Sequence, residues 1–402
     1  MKKVSKALAS LALICACSKG GDTDTAKVIE KPDIRVQDGR FTPDVMWALG
    51  KMGESAVSPD GKQLAYTLTY YDMQENRGNA ELYVMPTAGG DAVRLTTTAQ
   101  GEFNPAWLDD NTLLFCRGNE MRSINVDTKT EKLIATFEGG IEGFKLSADG
   151  KKVVYITDFP VKRADDVAPL FEGLDKTTGR INEDLMYRHW DNWVDEYPQI
   201  FLADLDGTLD IEHATAIVDS TFECPMRPWG GIEQFNISPD GSQIAYTCRK
   251  KTGKDYALST NSDIYLYNVA DGSTKNISEG IMGYDQNPVF SHDGTRIAWE
   301  SMERDGYESD HLRLMVYDTR SGQRTDYTEA FDYGVSGISW TDDDSELLAV
   351  VMYRGMNEIF AFNVADKGIR QVSHGYHDIN GFEICGNTIY ANQVSISYPA
   401  TI

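Results

Sequence analysis

Ile237-Ser238-Pro239-Asp240-Gly241-Ser242-Gln243-Ile244-Ala245-Tyr246 reads as a hairpin turn followed by a strand, and the rest of the chain repeats it. Pro239 presets the backbone for the first corner, Asp240 can bond its neighbouring amides, and Gly241 accepts the positive φ that closes the turn. Ile244 and Tyr246 then alternate with smaller or polar residues, as a half-buried strand requires. One Asp-Gly turn decides nothing, because such turns are common. Its recurrence decides the fold.

Upstream, the unit reappears as Val57-Ser58-Pro59-Asp60-Gly61 before a strand over 63–69. It follows as Trp107-Leu108-Asp109-Asp110-Asn111 before 113–116, and as Leu146-Ser147-Ala148-Asp149-Gly150 before 153–156. Downstream it reads Phe290-Ser291-His292-Asp293-Gly294, then Trp340-Thr341-Asp342-Asp343-Asp344, then Ile384-Cys385-Gly386-Asn387. In the first unit further strands fall at 81–85 and 92–96, giving four short strands in meander order. Most turn-to-turn separations are about 40 to 53 residues, the period of four-stranded propeller blades; solenoid rungs repeat every 20 to 30 or so. The expected fold is all-β, a β-propeller of four-stranded antiparallel blades over residues 41–402, seven in number with the last one incomplete. Only 11 residues, Asn392 to Ile402, follow the strand at 388–391. A sheet stopped there exposes an edge, so the natural polypeptide is expected to continue.

The interval from Asp149 to Asp240 is about 91 residues, and its excess lies in 158–198. This loop is inserted in the third blade, between a strand at 153–157 and one at 199–203. It carries Arg188-His189-Trp190-Asp191-Asn192-Trp193-Val194-Asp195-Glu196. Long loops on a rigid scaffold are where binding residues concentrate. Arg188, Trp190, Asp191, Trp193, Asp195 and Glu196 are therefore the candidates for contact with a substrate.

At the N-terminus Lys2, Lys3 and Lys6 precede a short apolar run, Ala7 to Ala16, too short to cross a bilayer. Ile14-Cys15-Ala16-Cys17 resembles a bacterial lipobox. That implies a signal peptide over 1–16, lipidation of Cys17, a flexible tether over 17–40 and an exported lipoprotein of the periplasm or outer membrane, held by its lipid. Cys116, Cys224, Cys248 and Cys385 remain, and four cysteines allow three pairings. The formal net charge of -24 repels phosphate backbones and argues against nucleic acid as a partner.

The chain holds no Gly-x-Ser-x-Gly, no phosphate-binding Gly-x-x-x-x-Gly-Lys-Ser/Thr and no His-Glu-x-x-His. His374 and His377 lie close together but without a third ligand, so neither metal nor cofactor is expected.

Three stretches carry a resemblance. Phe41-Thr42-Pro43-Asp44-Val45-Met46-Trp47-Ala48-Leu49-Gly50, followed by Val57 to Gly61, resembles the entry to the propeller of exported dipeptidyl and acylaminoacyl peptidases of the prolyl oligopeptidase family. Met186-Tyr187-Arg188-His189-Trp190-Asp191-Asn192-Trp193 and the closing Val394-Ser395-Ile396-Ser397-Tyr398-Pro399 are similar to segments of the same group. The resemblance implies a non-catalytic propeller that limits access to short peptides and helps position them. Its partner is a C-terminal α/β-hydrolase domain of the same polypeptide, to which no residue of this chain corresponds. The paired glutamates that hold the substrate amine in dipeptidyl peptidase IV-type relatives have no clear match; Glu183-Asp184 and Asp195-Glu196 are acidic pairs of a different pattern. The Ser-Pro-Asp-Gly turn is also shared by TolB-type propellers. The competing expectation is thus a stand-alone lipoprotein that docks a cell-envelope protein.

Overall fold

In the computed structural model, which describes residues 27–34, 36, 38–161, 176, 180 and 182–402, the repeated turn is built by one serine and one aspartate. Ser238 Oγ donates to Asp240 Oδ1 at 2.7 Å, Asp240 Oδ1 accepts the Ser242 amide at 3.0 Å, and Ser238 Oγ accepts the Gln243 amide at 2.9 Å. Ser58 with Asp60, Ser147 with Asp149, Ser291 with Asp293 and Thr341 with Asp343 repeat the arrangement. Ala148, His292 and Asp342 stand where the Ser58 and Ser238 turns have proline, so the hydroxyl and carboxylate shape the corner rather than the pyrrolidine ring. Gly241 takes φ 67°; in the sixth turn Asp344 takes φ 56° instead. Asp344 uses that position to accept the His292 and Asp293 amides of the preceding turn, both at 2.8 Å.

Each turn joins the innermost strand of a blade to the second. In the fourth blade the strands are Phe235–Ile237, Gln243–Cys248, Asp263–Asn268 and Thr274–Asn276, with Ile237 opposite Ile244 and Ile244 opposite Tyr267. Seven such antiparallel sheets follow in chain order, and the seventh (Asp378–Cys385, Thr388–Ser395, Tyr398–Thr401) has three strands. A helix α1, Pro43–Ala48, leads into the first blade, with Thr42 accepting the Val45 amide as its N-cap. The leader, Cys17 and the tether up to residue 26 lie outside the described residues, as do 162–175, 177–179 and 181 of the insertion.

Side chains alternate across every strand, so each blade buries both faces against its neighbours. Six apolar clusters result, one at each junction from blades 1–2 through blades 6–7. Between blades 3 and 4, for example, Val154, Ile156, Ile200 and Leu202 meet Phe235, Ile244 and Tyr246. The junction of blade 7 with blade 1 is made differently. Glu383 of the innermost strand of blade 7 accepts the Ser55 hydroxyl and the Val57 amide, both at 2.8 Å.

The innermost strands leave edge amides facing the channel, and side chains of neighbouring blades cover them. Glu54 takes the Asn104 amide at 2.5 Å, Asn104 takes that of Phe144 at 2.5 Å, and Glu300 takes that of Gly337 at 2.9 Å. Register breaks between Phe103 and Ala106 and between Ser336 and Ser339 turn the Asn104 and Gly337 amides toward their partners, and one between Gln286 and Val289 turns the Asn287 amide toward Thr247.

Two sets of carboxylates give the fold a defined pH response. Asp60 is lowered to about 2, first by the Lys62 ammonium and then by the Ser58 hydroxyl. At Asp293 desolvation pushes up, but the bonds from Ser291 and Thr295 outweigh it and leave the group at about 2. Their contribution to stability is complete above an unfolded value near ~4 and is lost as pH falls through about 2. Buried Asp285 and Glu300 are each pushed up to about 7, chiefly by desolvation, despite their hydrogen bonds. Ionising them costs stability as pH rises from about 4 to about 7. Thermal stability is therefore expected to peak at about pH 4 and to fall on both sides, continuing downward until about pH 7. A Tm that rises steadily from pH 4 to pH 8 would contradict this assignment.

Candidate functional site

All innermost strands run the same way round the ring. The loops joining second to third strands and the blade-to-blade connections consequently share one face, the upper one. The Ser-x-Asp turns occupy the lower face, which is rich in aspartate. The exposed large apolar side chains gather above: Phe159, Trp190, Trp229, Leu258, Tyr307 and Tyr376 all lie on upper-face segments. The insertion, the connection 217–234 between blades 3 and 4, and the blade 4 loop with helix α2, Gly253–Leu258, form one contiguous rim there.

The inserted loop folds back as a two-stranded hairpin, Arg188–His189 against Asn192–Trp193, with Trp190 and Asp191 at its tip. Trp190 is held at φ 51°, a conformation that a bulky residue adopts only under constraint. The constraint is visible on both sides. Trp190 is 70% exposed yet packs edge-to-face on the 75% exposed Trp229, with ring centroids 4.5 Å apart. Behind it, His189 Nε2 lies 3.1 Å from Glu223 Oε2. Glu223 is 3% exposed, and its other oxygen accepts the Tyr256 hydroxyl of α2. Three chain segments thus meet on a single buried carboxylate.

Trp193 is flanked by the guanidinium groups of Arg180 at 4.3 Å and Arg188 at 4.6 Å. Arg180 pairs with both Asp195 oxygens, at 2.7 and 3.0 Å, while Arg188 donates to the Asp191 carbonyl at 2.9 Å. Asp195 therefore braces the hairpin. Glu196 points elsewhere: it joins Glu142 in raising Asp158 to about 6, desolvation being the largest cause and Glu142 the next. Arg227 bonds Glu142 and lies 3.7 Å from Asp158. Glu142 and Asp158 beside one guanidinium, with Glu196 close enough to act on Asp158, leave excess negative potential, an environment suited to an ammonium group.

Of the six residues picked out in the sequence, Arg188, Trp190, Asp191, Trp193 and Asp195 lie together on the hairpin, and Glu196 faces the neighbouring acidic group. Glu223, Arg227, Trp229 and Tyr256 were not foreseen. The run Glu223-Cys224-Pro225-Met226-Arg227-Pro228-Trp229 did carry a signal, since two prolines and a tryptophan are unusual in a plain connection between blades. Among the described residues no group of three or more His, Cys, Asp or Glu is placed to hold a metal ion.

Replacing Glu223 by alanine is expected to leave His189 and Tyr256 without their shared acceptor, costing about 1–3 kcal/mol and loosening the hairpin. Trypsin should then cut after Arg188 at least about tenfold faster, whereas Glu223→Gln, which keeps an acceptor oxygen, should behave nearly as wild type. Equal cleavage rates in wild type and Glu223→Ala would remove Glu223 from this role.

The architecture defines a class: a seven-bladed propeller with the fold found in the propeller domains of peptidases. Pyrococcus horikoshii acylaminoacyl peptidase superimposes with a TM-score of 0.64 at 17% identity, over 88% of this chain and 51% of that one. The β-propeller domain of the Trilobed protease from Pyrococcus furiosus gives 0.57 at 14% identity, over 87% of this chain and 91% of that domain. In sequence the chain is a homologue of the protein named dipeptidyl-peptidase 5 of Porphyromonas gingivalis, 40% identical over 365 residues, 89% of this chain and 53% of that protein. The chain spans about half the length of the curated relatives it matches. No family model matches it.

Proposed function

We propose that this chain is the propeller of an exported peptidase that removes dipeptides from the N-termini of short peptides. Catalysis resides in an α/β-hydrolase domain of the same polypeptide, and the propeller restricts access and positions the substrate. The observation that carries this reading is the 40% identity to dipeptidyl-peptidase 5 across 89% of the chain. The relatives' greater length supports a further domain, and the apolar upper face supports its docking there. Glu142, Asp158 and Glu196 receive the substrate's ammonium group, each charge-assisted bond contributing about 1.5–3 kcal/mol. The Trp190–Trp229 pair borders the same opening, and a lipid on Cys17 tethers the assembly to the membrane.

The complete polypeptide, assayed on dipeptidyl p-nitroanilides with free or acetylated N-termini, should release nitroaniline from the free form alone. Glu196→Ala should raise KM for the free form at least about tenfold. Equal hydrolysis of both forms, or hydrolysis by the 402-residue chain by itself, would overturn the reading.

A further inference from the structure

Cys224 lies in the connection that carries Glu223, and Cys248 ends the second strand of blade 4. Cys224 Sγ is 3.2 Å from the Thr247 carbonyl oxygen, and Cys248 Sγ is 3.6 Å from the Glu223 carbonyl oxygen. Each sulfur therefore rests against the backbone of the residue preceding the other cysteine, which sets the two cysteines side by side. Both have no exposed surface and share the apolar cluster between blades 3 and 4. Cys116 belongs to the cluster between blades 2 and 3, while Cys385 is half-buried in blade 7 beside Gly61.

We propose that Cys224 and Cys248 form a disulfide when the protein folds in the presence of a disulfide oxidant, such as glutathione disulfide or an oxidised dithiol protein. One cysteine thiolate attacks the oxidant's disulfide, forming a mixed disulfide and expelling one oxidant thiolate. The second cysteine thiolate then attacks the protein sulfur of that mixed disulfide, forming the Cys224–Cys248 bond and expelling the other. The two protein thiols lose two electrons and two protons, and the oxidant gains them as two thiols. Once the fold has closed, neither step is accessible: burial pushes Cys248 up to about 12 and Cys224 well above the ordinary thiol range, and no reagent reaches either sulfur. The bond forms during folding and is afterwards shielded from reductants.

Its position gives it a consequence for the upper face. It ties the connection bearing Glu223, Arg227 and Trp229 to blade 4, one strand away from helix α2 and its Tyr256. The inference does not depend on the proposed peptidase activity, and its test contains no activity assay.

The full chain is refolded with a glutathione and glutathione disulfide mixture. Free thiols are then labelled with iodoacetamide under denaturing conditions, and the remainder with N-ethylmaleimide after reduction. Cys224 and Cys248 should carry the second label and Cys15, Cys17, Cys116 and Cys385 the first, with one linked peptide pair in the unreduced digest. Oxidised protein should be harder to unfold than reduced protein, the equilibrium shifting on the order of 100-fold, and the difference should vanish in Cys224→Ser. First-label modification of both Cys224 and Cys248 in natively refolded protein, or a link from either to another cysteine, would overturn the proposal.

Discussion

Trp340→Ala is expected to destabilise the propeller by about 3–5 kcal/mol, among the largest effects of any single substitution in the chain. Trp340 is 1% exposed and closes the innermost strand of blade 6, where it sits in the cluster shared with blade 5. Its indole Nε1 donates to the Val289 carbonyl at 3.1 Å, so truncation opens a cavity and also strips a bond from the neighbouring blade's edge. Arg296, over the ring at 5.7 Å, loses its platform as well. Trp340→Phe keeps much of the volume but not the donor and should cost about 1–2 kcal/mol. Trp190→Ala, on the exposed hairpin tip, should stay within about 0.5 kcal/mol. Guanidinium unfolding midpoints rank the three directly. A Trp190 effect as large as that of Trp340 would mean that the hairpin belongs to the core.

The second large effect concerns the faces of the ring. If the hydrolase domain docks on the upper face, a charge placed among its apolar side chains should abolish function without unfolding the propeller. Trp229→Asp and Met352→Asp, each at an exposed upper-face position, are expected to lower kcat/KM of the complete polypeptide about 30-fold or more, as loss of an interface anchor does. Leu133→Asp is the control: also an exposed apolar position, but on the outer strand Glu131–Thr136 of blade 2. It should leave activity unchanged. Circular dichroism melts separate loss of docking from loss of fold. Activity losses as large in Leu133→Asp as in Trp229→Asp would sink the assignment of the face.

The architecture was legible in the sequence because its punctuation is local. A serine, an aspartate and a glycine within four residues form a turn by bonding to one another, so the same turn is recognisable wherever it recurs. The first innermost strand, Lys51–Val57, was harder to see. Its Gly53 and Glu54 break the alternation because they serve a bulge and the amide of Asn104 in the next blade. The site was half legible for the same physical reason. Trp190, Trp193 and Asp195 announce themselves as a cluster in the chain. Glu223 meets His189 and Tyr256 from 34 and 33 residues away, and no local pattern records a contact made where blades 3 and 4 come together. A second recurring device also escaped notice: Thr96, Ser278, Thr328 and Ser373 each accept an amide from the third strand of their blade, at Leu82, Ile264, Leu314 and Ile359. The small hydroxyl residue after an apolar one at the end of these four blades is its signature.

The polar junction between blades 7 and 1 has a mechanical consequence. Six junctions are welded by apolar packing, which tears only with the loss of a whole cluster. At the seventh, among the described residues, the Glu383 carboxylate adds two hydrogen bonds beside the buried Leu64 and Tyr66, and water can replace these bonds one at a time. Burial already raises Glu383 above the ordinary carboxylate range, so its protonated form is the easier one to keep inside. The ring thus has a built-in parting line. Amide exchange at Val57 should report breathing there while the amides of blades 4 and 5 stay locked, and the barrel can loosen at one place without any other blade giving up its core.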